Sequence, residues 1–111
     1  MTDQGNKYLA DIIQAIALIE SFTSESSDYD DYISDLKTQS AVERQLGIIG
    51  EAVNKFEKLY PDSALINAGK IVGLRNRLIH SYDAVDPSII WVIIKKYLDP
   101  LKMEIIEKQN T

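Results

Sequence analysis

The spacing of apolar residues predicts an all-α protein, and three stretches carry that reading. Leu9, Ile12, Ile13, Ile16, Ile19 and Phe22 recur at steps of three and four, as one buried stripe of a helix requires. Val42, Leu46, Ile49, Val53, Phe56 and Tyr60 repeat in steps of four and three, a seam suited to packing between helices. Ile90, Ile93, Ile94, Tyr97, Leu98, Leu101 and Ile105 keep helical spacing well past the length of a strand, although residues 89–94 are rich in β-branched side chains.

Taken in order, the first helix is expected over roughly residues 6–24. Residues 24–31 are polar, with Ser26, Ser27 or Asp28 able to cap a short second helix whose first turn is acidic. The third helix ends at Pro61; Gly47 and Gly50 lie inside it, where glycine costs about 1 kcal/mol relative to alanine, so both are expected to mark a tight helix crossing. Ile71, Leu74, Leu78 and Tyr82 share a face of a fourth helix, and residues 83–86 read as a turn. Asp86 then caps a last helix with Pro87 in its first position, and a bend is expected near Pro100. Six consecutive apolar residues at 89–94 cannot hide behind one stripe, so a second partner surface is expected, a homodimer being the simplest.

A chain of 111 residues is read as one domain, large enough to bury a core without covalent staples. The absence of cysteine removes disulfides, thiolate metal sites and cysteine nucleophiles, and fits a reducing compartment. No basic segment followed by an apolar one opens the chain, and the longest apolar run is far short of the roughly 20 residues of a membrane span. A cytoplasmic location, with neither export nor membrane insertion, is therefore expected. The net charge of −5 argues against indiscriminate nucleic-acid binding, which draws its affinity from Lys and Arg at phosphates. The acid is unevenly spread: Asp28, Asp30, Asp31 and Asp35 crowd one stretch, whereas residues 69–82 hold Lys70, Arg75, Arg77 and His80 and no carboxylate. A phosphate-bearing ligand is expected there.

On a helical wheel at about 100° per residue, Arg75 falls within the apolar arc, beside Ile71 and Leu74. A cation on that face needs a partner, because burying it alone costs several kcal/mol. Glu51 on the preceding helix would serve, and so would an anionic ligand. His80 lies about 140° away from Arg75, while Asn76 shares its side. One ideal helix thus leaves Arg75 and His80 apart, unless its end distorts or a second copy completes the site. Metal-free RNA cleavage wants one group to deprotonate the 2′-hydroxyl and another to protonate the leaving oxygen, and a twofold axis supplies two histidines from one position. A lone histidine near a helix C-terminus also serves as a cap or a counter-charge to the dipole. With one histidine and no cysteine, zinc and most transition-metal sites lack ligands, and the acidic stretch lacks the glycine and glutamate of a calcium loop, so no metal and no cofactor are expected.

Residues 74–82, Leu-Arg-Asn-Arg-Leu-Ile-His-Ser-Tyr, resemble the Arg-x(4)-His-x-Tyr signature of HepT toxins in the HEPN ribonuclease superfamily, once grouped as a domain of unknown function. Upstream, Glu43-Arg44-Gln45-Leu46 and Ile49-Gly50-Glu51-Ala52 are similar to that family's preceding helix; downstream, Val85-Asp86-Pro87 and Ile90-Trp91 are similar to its next turn and helix. The sequence departs from the family at residues 67–70, where many members carry a tryptophan-containing turn, and at Ser81, often glycine. The resemblance implies a HEPN-like antiparallel helical bundle that dimerises with its two motifs facing across a cleft, and metal-independent cleavage of RNA. It implies that Arg75 binds the scissile phosphate, that His80 transfers protons, and that Asn76 orients the histidine or the phosphate. It also implies that Tyr82 accepts adenylate from a partner nucleotidyltransferase antitoxin resembling MntA, as in type VII toxin-antitoxin pairs. Tyr82 also continues the apolar stripe and serves packing equally well. The alternative reading is a non-catalytic helical module that presents a nucleotide to such a partner.

Overall fold

The computed structural model describes residues 1–80 and 85–110, with residues 78–80 as backbone only. The sequence readings that fall on Ser81, Tyr82, Asp83 and Ala84 therefore lie outside the described residues. Six α-helices and one short 3-10 turn make up the elements, with no strand among the described residues. They are α1 (Asp3–Phe22), α2 (Tyr29–Ile33), α3 (Leu36–Leu59), the 3-10 turn (Ile66–Ala68), α4 (Gly69–His80), α5 (Pro87–Lys96) and α6 (Leu98–Gln109).

The caps follow ordinary helix chemistry, in which a short polar side chain satisfies an orphan amide. Thr2 accepts from the Gly5 amide at 3.1 Å, and Asp28 accepts from Asp31 at 2.9 Å. Asp35 starts α3 by accepting from Thr38 at 3.0 Å, and Asp86 starts α5 through Ser88 at 2.9 Å. Of the three residues expected to cap α2, Asp28 does so.

Leu9, Ile12, Ile16 and Ile19 of α1 meet Val42, Leu46, Ile49, Val53 and Phe56 of α3 in a core that Ile71 and Leu74 of α4 and Leu98, Leu101 and Ile105 of α6 complete. Side-chain contacts fix the helix directions. Tyr60, just past α3, donates to the Thr2 hydroxyl at 3.0 Å and accepts from the Thr2 amide at 2.7 Å, so the end of α3 lies at the start of α1. Lys102 of α6 pairs with Glu20 near the end of α1 at 3.2 Å, while Lys108 reaches Ser63 beyond α3 at 2.9 Å. Both α3 and α6 thus run antiparallel to α1. The bundle measures 42 × 28 × 19 Å, and its thinnest dimension equals two layers of helices at about 10 Å each.

The last helix is two helices. The break falls at Tyr97 rather than at Pro100 itself, because a proline ring clashes with the carbonyl four residues earlier, here that of Lys96. Pro100 then sits in the first turn of α6, where its missing N–H is harmless. As the apolar run required, Ile90 and Ile93 are buried whereas Ile89 and Val92 stay 36% and 42% exposed. Trp91 is spent internally, packing in tilted contact against Tyr32 at 5.3 Å and Tyr29 at 6.3 Å, with Lys95 4.5 Å above its ring. No helix among the described residues is long and apolar enough to cross a membrane.

Candidate functional site

Polar ties at its start and a tight crossing at its middle hold α4, which carries the predicted site. Its approach is tied by carboxylates: Glu57 accepts from the Leu65 amide at 2.8 Å, and Glu104 of α6 accepts from the Ile66 and Asn67 amides at 2.8 and 3.0 Å and from the Asn67 side chain at 3.0 Å. The turn in which this sequence departs from the resembled family is therefore clasped by α6. The middle of α4 lies against Gly50 of α3. A β-carbon on Gly50 would stand 2.5 Å from Cβ and 2.8 Å from Cγ of Arg75, closer than such atoms approach, so α3 and α4 cross tightly at this glycine. Gly47, expected to mark the same crossing, does not: no heavy atom lies within 4 Å of where its β-carbon would be. One turn of helix separates the two positions, and only Gly50 faces α4; Gly47 opens on a groove.

Arg75 has the ion pair that its place on the wheel demanded. Its Nη2 donates to Oε2 of Glu51, and its Nη1 donates to Oδ1 of Asn76 at 3.3 Å. The pair is not enclosed: the side chains of Arg75 and Glu51 are 22% and 45% exposed. Glu51 is shared with Lys55, 3.7 Å away, so one carboxylate steers two cations. Asn76 is exposed and touches the guanidinium, whereas its expected contact with the histidine rests on a side chain outside the description. Helix α4 runs unbroken from Gly69 to His80. Positions 75 and 80 of one copy therefore stand about 140° apart around its axis.

Two grooves flank this helix. The first, about 610 Å³, runs between α1 and α3; Tyr8, Arg44, Gly47, Ile48, Lys55 and Arg75 are among its lining residues. Glu43 also lines it, and burial lifts that carboxyl above the usual carboxylate range. Sequence reasoning missed this groove, although Arg44, Ile48, Glu51 and Lys55 form a mixed-charge stripe opposite the apolar seam of α3. The second groove, about 500 Å³, lies between α4 and α5 and is lined by Gly73, Leu74, Arg77, Ile89 and Val92, among others. Lys70 also lines it, so two cations of the carboxylate-free segment stand here while Arg75 opens on the first groove.

The family model described as Ribonuclease HepT-like matches residues 12–107. A protein of Thermococcus cleftensis that bears the name Probable ribonuclease HepT is 42% identical over 99 residues, covering 86% of this chain and 86% of its own. A protein of Methanocaldococcus jannaschii with a provisional RNase name is 34% identical over 102 residues, 88% of this chain and 90% of that one. Another provisionally named RNase, from Caldanaerobacter subterraneus subsp. tengcongensis, is 34% identical over 102 residues, 90% and 89% of the two chains. No solved structure matches the chain. The match over residues 12–107 and the identities of these relatives lead to one conclusion: the chain belongs to the HepT-like ribonuclease family.

Proposed function

We propose that this protein is the toxin of a toxin-antitoxin pair, a metal-independent endoribonuclease of one domain acting in the cytoplasm as a homodimer. The observation that carries this reading is the state of Arg75. Its guanidinium is oriented by Glu51 and Asn76 and left open to a groove, on the same helix as His80, in a chain of a ribonuclease family.

The chemistry follows from the donors available. His80 of one copy takes the proton of the 2′-hydroxyl, and the 2′-oxygen attacks the adjacent phosphorus. The bond from phosphorus to the 5′-oxygen breaks, and that oxygen leaves with a proton from the partner copy's imidazole. The products are a 2′,3′-cyclic phosphate and a free 5′-hydroxyl. Arg75 neutralises charge on the pentavalent transition state, where a permanently charged planar group with several donors is most effective.

A homodimer is favoured by the half-exposed Ile89 and Val92 beside the second groove. By helical phase, position 80 falls on the α4 stripe of Gly69, Gly73 and Arg77 that borders this groove. A copy seated there would stand beside the motif. Control by a MntA-like nucleotidyltransferase is the second half of the proposal. The Tyr82 phenol would attack the α-phosphate of ATP, release pyrophosphate and retain adenylate, a bulky anion two residues from the histidine that would fill the cleft and repel RNA.

Incubation of the purified protein with RNA in EDTA is expected to yield 2′,3′-cyclic phosphate ends, with His80→Ala inactive; full activity in that variant would contradict the assignment. The net charge of −5 favours one other reading, a nucleotide-presenting partner without nuclease activity. Nucleotide or antitoxin binding with no cleavage of any RNA would establish it.

A further inference from the structure

The groove between α1 and α3 has features that the reaction at Arg75 and His80 does not use. Arg75 is among its lining residues, so an occupant of the groove lies beside the phosphate that Arg75 is proposed to hold. The Tyr8 ring forms part of one wall, and the opposite face of α3 presents Arg44 and Lys55. Lys7 is committed to Asp11 at 2.8 Å and Lys55 shares Glu51, whereas Arg44 makes no ion pair among the described residues. Between them Gly47 leaves open space, in a helix interior where alanine would be favoured. Of the three carboxylates that line the groove, Asp11 is held by Lys7 and Glu51 by Arg75 and Lys55, and burial disfavours the charged form of Glu43. An aromatic wall, a cation without an ion pair and a floor without a side chain suit a flat ring joined to a phosphate. The volume, about 610 Å³, lies within the roughly 300–1,000 Å³ of small-molecule sites.

We propose that this groove seats a nucleoside of the RNA strand flanking the scissile phosphate. Its base stacks on Tyr8 above Gly47, and its own phosphate is met by Arg44. The inference rests on the ribonuclease reading and deepens it. Arg75 and His80 act on a phosphodiester that is the same in every RNA, so this groove is where one base is preferred to another. Tyr8, Arg44 and Gly47 are thus positioning residues that set where along an RNA the cut falls.

The test uses the full chain and a short RNA oligonucleotide with 2′-O-methyl riboses throughout, which cannot undergo 2′-hydroxyl attack. Binding is then read independently of cleavage. The Arg44, Gly47 and Ile48 amides are expected to shift in ¹H–¹⁵N spectra on titration. Gly47→Leu, for which the space is free and the helix propensity improves, should retain the melting temperature and lose probe binding. Tyr8→Ala should weaken binding roughly fivefold or more, as loss of one base–aromatic stack does. Arg44→Ala should reduce the salt dependence of binding by about one counterion. Equal probe affinity in wild type and Gly47→Leu, or amide shifts gathered on Gly73 and Val92, overturns the inference. So does a Gly47→Leu chain that loses its dimer while each remaining dimer binds the probe as before, since a second copy would then cover the groove. Failure of the ribonuclease reading appears elsewhere, as wild-type protein that leaves every natural RNA intact.

Discussion

Arg75 is steered by one carboxylate rather than enclosed by several, and that difference decides what its removal does. Ion pairs exposed to this degree contribute about 0–1 kcal/mol. Arg75→Ala is therefore expected to lower the unfolding free energy in urea by no more than that while abolishing RNA cleavage; a loss of several kcal/mol with cleavage retained by the folded fraction would make the pair structural. The sequence wheel identified Arg75 as a cation needing a partner and Glu51 as the candidate. It did not reveal that the pair stays open to water, because exposure depends on how α1 and α3 splay. Tyr32 is a second residue with a definite expectation. Its hydroxyl is buried with no hydrogen-bond partner among the described residues, and burial first, then Glu43, pushes its ionisation well above the ordinary tyrosine value. Tyr32→Phe removes an unsatisfied group and keeps the ring contact with Trp91, so it should leave stability unchanged or raise it by about 1 kcal/mol in urea denaturation.

Among the elements, α4 and α5 depend on carboxylates at their starts. Glu104 satisfies two backbone amides and a side-chain amide ahead of α4, so Glu104→Ala is expected to cost about 1–3 kcal/mol, read by thermal or urea unfolding. Asp86 begins α5, and its bonds from the Ser88 amide and hydroxyl hold its carboxyl below the usual range. A folded value below the unfolded one means that its contribution is complete above the unfolded carboxylate pKa and fades as pH falls through the folded value. Asn caps equally well without titrating, so the helical signal of Asp86→Asn should lose less of its stability between neutral and acid pH than wild type. Caps and stripes were legible in the sequence because both are local: Asp86-Pro87 and the α3 seam depend on neighbours a few residues away. The division at Tyr97 was legible only as a bend near Pro100, since a proline marks its own position while its steric effect falls on the preceding turn.

For the whole molecule the decisive question is whether two copies share one catalytic centre. If each cleavage needs an imidazole from both, mixed dimers of wild type and His80→Ala are inactive. Activity should then fall as the square of the wild-type fraction rather than in proportion to it; a proportional fall would assign each copy its own site. Long-range arrangement is also where the sequence was least informative. The first groove joins Tyr8 of α1 to Arg44 and Gly47 of α3, and nothing local to either segment announces the meeting. Gly47 and Gly50 look alike in the chain, yet one borders open space and the other has Arg75 laid across it. The contact at Gly50 reaches beyond packing. One methyl group there would lever the guanidinium off its mark, and displacement by about 1 Å from a reacting centre costs on the order of a hundredfold in rate. Under the proposed toxin role, a Gly50→Ala chain is thus expected to be a disarmed copy changed only where Arg75 lines one groove, one that a host cell carries without an antidote and that still serves as bait for the proposed antitoxin.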